Sequence, residues 1–273
     1  MKVSVYGASG FVGSNYASYS KNNVEAVDRN DPNPTANEIL YLIGTTDNYN
    51  VLKNAEIDIQ VNLVILMRNL EYLRHKFGKF TFNYVSSWFV YGDGQTPPFR
   101  EDGNCKPKGF YSISKYAAEM YIESYCKTFE IDFRIIRLAN VFGCNDKGIS
   151  RKKNALQYLI ERLKRDEQIE LYESGEFFRD YIDVRDVVNA IDLIIDKAEK
   201  NQIINVGTGV PQLFSDIINE AVKVFGSKSE IKSVEVPDFH KRVQVKNSWL
   251  ETSKLVSLGF QPAHPIMKEI INL

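Results

Sequence analysis

Excess charge of one sign, cysteine, histidine and long apolar runs are all scarce in this 273-residue chain. Lysine and arginine number 34 against 35 aspartates and glutamates, a formal net charge of -1, with no basic block or acidic tail. That balance argues against a surface built for nucleic acid or for an anionic membrane. No apolar run approaches the roughly 20 residues that a membrane helix needs. Cys105, Cys126 and Cys144 are odd in number and lack metal-ligand spacing, the pattern of ordinary thiols in a reducing cytoplasm. His75, His240 and His264 are scattered, with no acidic or histidine partner at helical spacing, so no metal site is expected. The chain enters a strand at once (Lys2-Val3-Ser4-Val5-Tyr6) rather than through a charged segment followed by an apolar one, and the expected location is the cytoplasm.

What is present alternates. Strands are expected at Lys2–Tyr6, Val24–Asp28, Ile39–Ile43, Phe80–Val85 and Phe133–Leu138. Helices are expected at Phe11–Lys21, Ile57–Phe77 and Tyr111–Phe129. Strand–helix alternation implies parallel strands with crossover helices, an α/β doubly wound sheet. Beyond Gly143 the pattern loosens into α+β, with helices at Ala155–Arg165, Val184–Lys200, Phe214–Phe225 and Ile266–Asn272 and short strands at Ile169–Tyr172 and Ile203–Val206. The expected organisation is a Rossmann cofactor domain over residues 1–147, to which 180–206 returns. A smaller, interleaved substrate domain then takes 148–179 and 207–273.

The run Gly7-Ala8-Ser9-Gly10-Phe11-Val12-Gly13 lies between the first strand and the first helix. Glycines at three-residue intervals let the backbone turn tightly and approach a pyrophosphate, which the helix N-terminus then neutralises. Gly7, Ser9, Gly10, Phe11, Val12 and Gly13 are therefore candidate dinucleotide-binding positions. Asp28 ends the second strand about 20 residues on, where a carboxylate accepts hydrogen bonds from ribose hydroxyls and repels a 2′-phosphate. NAD is thus favoured over NADP. Arg29 beside it would stack on adenine or pair a phosphate.

Tyr111 and Lys115 stand one helical turn apart in "FYSISK". A tyrosine of ordinary pKa near 10 is a poor acid/base at pH 7, and a neighbouring ammonium is expected to stabilise its anion. Ser87, in "VSSWFVYG", offers a hydroxyl to bridge Tyr111 and a substrate oxygen.

With these motifs in hand, the chain resembles the extended short-chain dehydrogenase/reductases, the NAD-dependent epimerase/dehydratase family acting on nucleotide sugars. The likeness runs nearly end to end, through "GASGFVG", "VSSWFVYG", "YSISK", "RLANVFG", "RDYIDVRDV", "NVGTG" and "ETSKLVSLGFQP". It implies that Ser87, Tyr111 and Lys115 are the catalytic triad, with Lys115 also holding the nicotinamide ribose, and that Thr45 lies near the dinucleotide. It makes Asn140 a contact to the sugar nucleotide, and Arg179 and Arg242 the clamps on its diphosphate. Guanidinium groups suit that task. For Arg179 the competing expectation is a salt bridge with Asp180 or Asp183. For Arg242 the usual Gly-Asp that follows is replaced by Val243-Gln244. The likeness also implies a homodimer joined by a four-helix bundle, built from the helices around 62–77 and Tyr111.

Two departures stand out. The span between Asp28 and the third strand is too short for the usual helix and extra strand near adenine. Trp88-Phe89 also occupy the positions where sugar 4,6-dehydratases carry Asp-Glu, which disfavours dehydration. Trp88 would instead wall the sugar pocket. Three functions remain open: an NAD-dependent nucleotide-sugar epimerase that oxidises and re-reduces a sugar hydroxyl, expected at C4, through a keto intermediate; an NAD(P)H-dependent nucleotide-4-keto-6-deoxysugar reductase; and a dinucleotide-binding sensor or scaffold without catalysis.

Overall fold

The computed structural model describes residues 1–28, 32–146, 150 and 154–273. Arg29 and the boundary drawn at 147/148 lie outside the described residues. The first part of the chain runs β1 (Lys2–Tyr6), α1 (Phe11–Tyr19), β2 (Asn23–Val27), β3 (Glu38–Tyr41), α2 (Ile57–Ile59), α3 (Leu66–Lys76), β4 (Thr81–Ser87), α4 (Phe110–Thr128), β5 (Asp132–Leu138) and β6 (Asn140–Phe142). The second runs α5 (Ala155–Leu163), β7 (Ile169–Tyr172), β8 (Phe178–Arg179), β9 (Tyr181–Asp183), α6 (Val184–Lys197), β10 (Gln202–Val206), β11 (Gln212–Leu213), α7 (Phe214–Phe225), β12 (Ile231–Val234), α8 (Asp238–Val243), α9 (Ser253–Ser257) and α10 (Ile266–Glu269).

Six strands form one sheet in the order β10-β5-β4-β3-β1-β2, with every neighbouring pair parallel. Side chains alternate across it, as a period of two demands. Val3, Val5, Leu40, Val85, Ile136 and Leu138 face one core, shared with Tyr16 of α1 and Val187, Ile191 and Ile194 of α6. Ile39, Tyr41, Phe82, Tyr84 and Ile135 face the other, against Leu66, Leu70 and Leu73 of α3 and Ala118 and Ile122 of α4. Apolar burial on both faces selects the doubly wound arrangement expected from the sequence. The chain reverses direction across the sheet at β1, which opens a crevice at the C-terminal ends of the strands. A third core, built from Leu156, Ile160, Leu171, Phe214, Ile217 and Ile266 among others, sits under α5, α7 and α10.

β2 ends the sheet. The link from β2 to β3 carries no helix among the described residues, and the loop lies instead against β1. Glu25 ties it down, accepting from the Thr35 amide at 2.8 Å and hydroxyl at 2.7 Å and from the hydroxyl of Ser4. Ser4 Oγ in turn accepts from the Ala36 amide at 3.0 Å, and the Tyr6 hydroxyl donates to the Pro32 carbonyl at 3.0 Å. Burial pulls the Glu25 carboxyl upward, but the donors from Ser4 and Thr35, with Lys2 nearby, outweigh it and hold the group at about 2.

The helix expected over Ile57–Phe77 is not uniform. Between α2 and α3 it widens into a π-turn at Gln60–Ile65, a form that gathers at functional sites. Among the described residues, no helix is long and apolar enough to cross a membrane, and no group of three or more potential metal ligands occurs.

Candidate active site

The turn after β1 is shaped by two glycines. Gly7 adopts φ +86°, and a methyl group on Gly13 would fall 2.2 Å from the Gly7 carbonyl oxygen, so α1 can approach β1 only with glycine there. Gly10 is the N-cap of α1. No side chain caps this helix and no acidic residue stands in its first turn, leaving its amides available to an anion. Gly7, Gly10, Phe11, Val12 and Gly13 line a cleft of about 760 Å³, while Ser9 and Asp28 are exposed and lie off its lining.

The same cleft takes in Ser87, Tyr111 and Lys115. Ser87 closes β4 and caps the short 3-10 turn Trp88–Val90, where its hydroxyl accepts from the Phe89 amide at 3.4 Å. Lys115 is buried, its Nζ donating to the Val85 carbonyl at 2.8 Å and the Tyr84 hydroxyl at 3.0 Å. Desolvation brings its pKa down to about 7, opposed by Glu119. Tyr111 departs from expectation. Burial pushes its phenol up to about 12; Ser87 pulls it down and Asp58 pushes it up, and Lys115 does not offset the burial. In this state the tyrosine is a neutral phenol, poised as a proton donor.

Thr45 follows β3 and joins the cleft wall. Its amide donates to Asn62 Oδ1 at 2.9 Å and its hydroxyl to Asp58 Oδ1 at 2.5 Å. Asn62 Nδ2 donates to Thr45 Oγ1 and to Ser114 Oγ, both at 2.8 Å. This buried network joins the end of β3 to the helix that carries Tyr111, and sequence reading missed Asp58, Asn62 and Ser114. The available signal was two polar residues four apart, interrupting the apolar run of Ile57, Ile59, Val61 and Leu63.

Aromatic rings occupy the opposite wall. Trp88 stacks on Phe89 at 4.1 Å, and Phe89 meets Tyr111 edge-on at 5.8 Å. Trp88 Nε1 donates to Asn140 Oδ1 at 3.2 Å, and Asn140 Nδ2 donates to the Asp180 carbonyl at 3.0 Å, so both groups of that amide are oriented. Arg179 is buried in the cleft wall. It donates to the carbonyls of Phe178 (2.9 Å), Val245 (3.0 Å) and Lys246, and its guanidinium lies 4.7 Å from the Phe177 ring centroid. Neither carboxylate expected to pair it does so: Asp180 is taken by Thr208, Gly209 and Leu250, and Asp183 by Arg185. Burial pulls the Arg179 guanidinium down to about 10, with Tyr181 opposing. Arg242 is exposed on α8 and does not line the cleft; His240 and Gln244 do.

α8 also meets α4, the helix that carries Tyr111 and Lys115. A methyl group on Gly109, the N-cap of α4, would fall 2.6 Å from Asn48 Oδ1 and 3.1 Å from Val243 Cβ. Lys108 Nζ donates to the Lys241 carbonyl at 3.2 Å.

A six-stranded parallel sheet, a glycine turn at its reversal point and a Ser-Tyr-Lys group in one cleft make a Rossmann-type α/β architecture. The chain belongs to the NAD dependent epimerase/dehydratase family, whose profile matches residues 35–207. It is 28% identical over 180 residues to an ADP-L-glycero-D-manno-heptose-6-epimerase of Brachyspira hyodysenteriae, covering 65% of this chain and 56% of that protein. It is 29% identical over 193 residues to the dTDP-D-glucose 4,6-dehydratase of Mus musculus, covering 67% and 52%. The chain thus spans little more than half the length of these relatives. The fold is that of the UDP-glucose 4-epimerase of Thermotoga maritima solved with UDP-glucose, with a TM-score of 0.87, 22% identity, and coverage of 99% of this chain and 96% of that one.

Proposed function

We propose that the protein is an NAD-dependent nucleotide-sugar epimerase that oxidises and re-reduces one sugar hydroxyl, at C4, through a keto intermediate. The observation that carries this reading is a single cleft lined by the glycine turn, by Ser87, Tyr111 and Lys115, and by a buried arginine with no carboxylate partner among the described residues. The glycine turn fits a dinucleotide, since its helix end is uncapped and its close approach leaves no room for a side chain on Gly13. Gly7 to Gly13, Thr45 and Lys115 would hold NAD, with Asp28 at its ribose. When bound, NAD supplies the site that accepts and returns a hydride.

The chain's own residues manage the proton. Tyr111 can take the proton of a substrate hydroxyl only as its phenolate, so its own proton must leave first, and a hydrogen bond donated by Ser87 favours that anion. Tyr111 gives that proton back when the ketone is reduced. Lys115, fixed by Val85 and Tyr84, supplies positive charge while it keeps its proton. Trp88 and Asn140 wall the sugar and orient it, and Arg179 holds the diphosphate. Trp88 and Phe89 offer no carboxylate beside Ser87, so water is not eliminated across C5–C6.

A second reading, an NAD(P)H-dependent 4-keto-6-deoxysugar reductase, is favoured by one observation: the sheet ends at β2 and Asp28 is exposed, an open adenosine side that suits a cofactor replaced at every turnover. A homodimer is also proposed. Phe110, Ile113, Met120 and Tyr121 of α4, and Ile59 and Ile65 beside it, are exposed apolar side chains suited to a four-helix bundle. The deciding measurement incubates purified protein with UDP-, dTDP-, GDP- and CDP-sugars and no added cofactor. Interconversion supports the epimerase. Turnover that strictly consumes added NADH or NADPH overturns it in favour of the reductase.

A further inference from the structure

On α8 the side chain that reaches the cleft is His240, while Lys241 and Arg242 are exposed. Two elements pack on its ring, and a third supports them. Tyr49, from the loop after β3, places its hydroxyl 2.8 Å from Nδ1. Tyr172, at the end of β7, lies with its ring centroid 5.1 Å from the imidazole. Phe239, on the same helix, packs on Tyr49 at 5.0 Å. The charged group acting on the ring is Arg179 of β8; Asp238, Lys241 and Arg242 of α8 itself are exposed.

We propose that His240 is a substrate-binding residue that donates a hydrogen bond from Nε2 to the diphosphate of the nucleotide sugar, sharing with Arg179 the role that sequence likeness gave to Arg242. The inference rests on the nucleotide-sugar reading of the cleft. In this proposal the Tyr49 phenol is the donor in its contact with Nδ1. A phenol donating to Nδ1 leaves the ring proton on Nε2, so a neutral imidazole is still a donor. Neutrality is the resting state, because burial and the Arg179 charge pull His240 down to about 4. Among the described residues no hydrogen bond to Nε2 is formed. Arg179 spends three donor contacts on carbonyls of its own surroundings, so a second donor is needed for an anion with oxygens on two phosphates. Position in the cleft and the contacts of Tyr49 and Tyr172 assign that donor to His240.

The test is calorimetric titration of the full chain, with NAD present, by UDP-glucose, dTDP-glucose, GDP-mannose and CDP-glucose, using whichever binds most tightly. His240→Phe keeps a ring against Tyr172 but has no donor, and its affinity should fall roughly tenfold, the value of one buried hydrogen bond to a charged group. His240→Gln restores an amide donor and should stay within about threefold of wild type. Tyr49→Phe frees the tautomer and should weaken binding about two- to fivefold. Arg242→Ala should stay within about twofold, and NAD affinity should hold in every variant. Unchanged affinity in both His240→Phe and Tyr49→Phe overturns the proposal, as does a loss in Arg242→Ala equal to that in His240→Phe. If His240→Phe fails to fold, the Tyr49→Phe and Arg242→Ala pair still decides. Binding of none of the four ligands to the wild type overturns the nucleotide-sugar reading itself.

Discussion

Lys115 and Tyr84 meet twice: Nζ lies 3.0 Å from the phenol oxygen and 4.4 Å from the centroid of the same ring. The ammonium is therefore held by an acceptor and a π-face in a buried site that otherwise discourages charge. Tyr84→Phe keeps the face and removes the acceptor. We expect turnover to fall roughly ten- to a hundredfold, the value of a hydrogen bond to a charged group. Because Lys115 already loses its proton at about 7, the variant should shift the limb on which activity declines with rising pH toward lower pH. A pH profile of kcat/KM checks this, and an unmoved limb would remove Tyr84 from the account.

Tyr111→Phe removes the phenol and keeps the ring edge against Phe89. Turnover should drop about 10²- to 10⁴-fold, the usual worth of a general acid/base, with NAD affinity within about twofold of wild type. Single-turnover kinetics and a cofactor titration measure the two separately. Comparable rates in both proteins would mean that the proton travels by another route.

Gly13→Ala forces a methyl group onto the Gly7 carbonyl oxygen at 2.2 Å and the Ala8 Cα at 2.8 Å. Both neighbours are backbone, so the helix must back away, at a cost of about 1–3 kcal/mol. Thermal unfolding should move down by roughly 5 °C for a chain of this size. NAD affinity should fall at least about tenfold, because the displaced helix end is the proposed anion seat.

Glu25→Gln reports on the loop that replaces the missing helix. A carboxyl held at about 2 in the folded chain, below an unfolded value of about 4.3, stabilises the protein at neutral pH. That contribution is lost as pH falls through the folded value. The variant should be less stable than wild type at pH 6, and the gap should close by about pH 2. Urea midpoints across that range give the answer; a gap that widens on acidification would reverse the assignment.

Much of this was legible because it follows from local pattern. Buried parallel strands read as apolar runs, and the turn at Gly7 and the one-turn spacing of Tyr111 and Lys115 are fixed by residue identity alone. What escaped depends on contacts distant in the chain. The six-residue helix α8 is too short for its periodicity to reveal that His240 faces inward and Arg242 outward. The high pKa of Tyr111 comes from burial, which outweighs any effect of the lysine one turn away. The π-turn at Gln60–Ile65, which lies between Asp58 and Leu66, shifts a register that a regular helix would have predicted. Strand pairs as short as β8 with β11 carry too few residues to show alternation.

The absent side chain of Gly109 has a mechanical meaning. Asn48 from the loop after β3 and Val243 from α8 both press into the space where a Cβ would stand, at the tip of the helix that carries Tyr111. Close-packed groups transmit displacement rather than absorb it. α8 and α4 therefore share a point of close contact, and a tilt of α8 would be felt at the end of α4 on which Tyr111 sits.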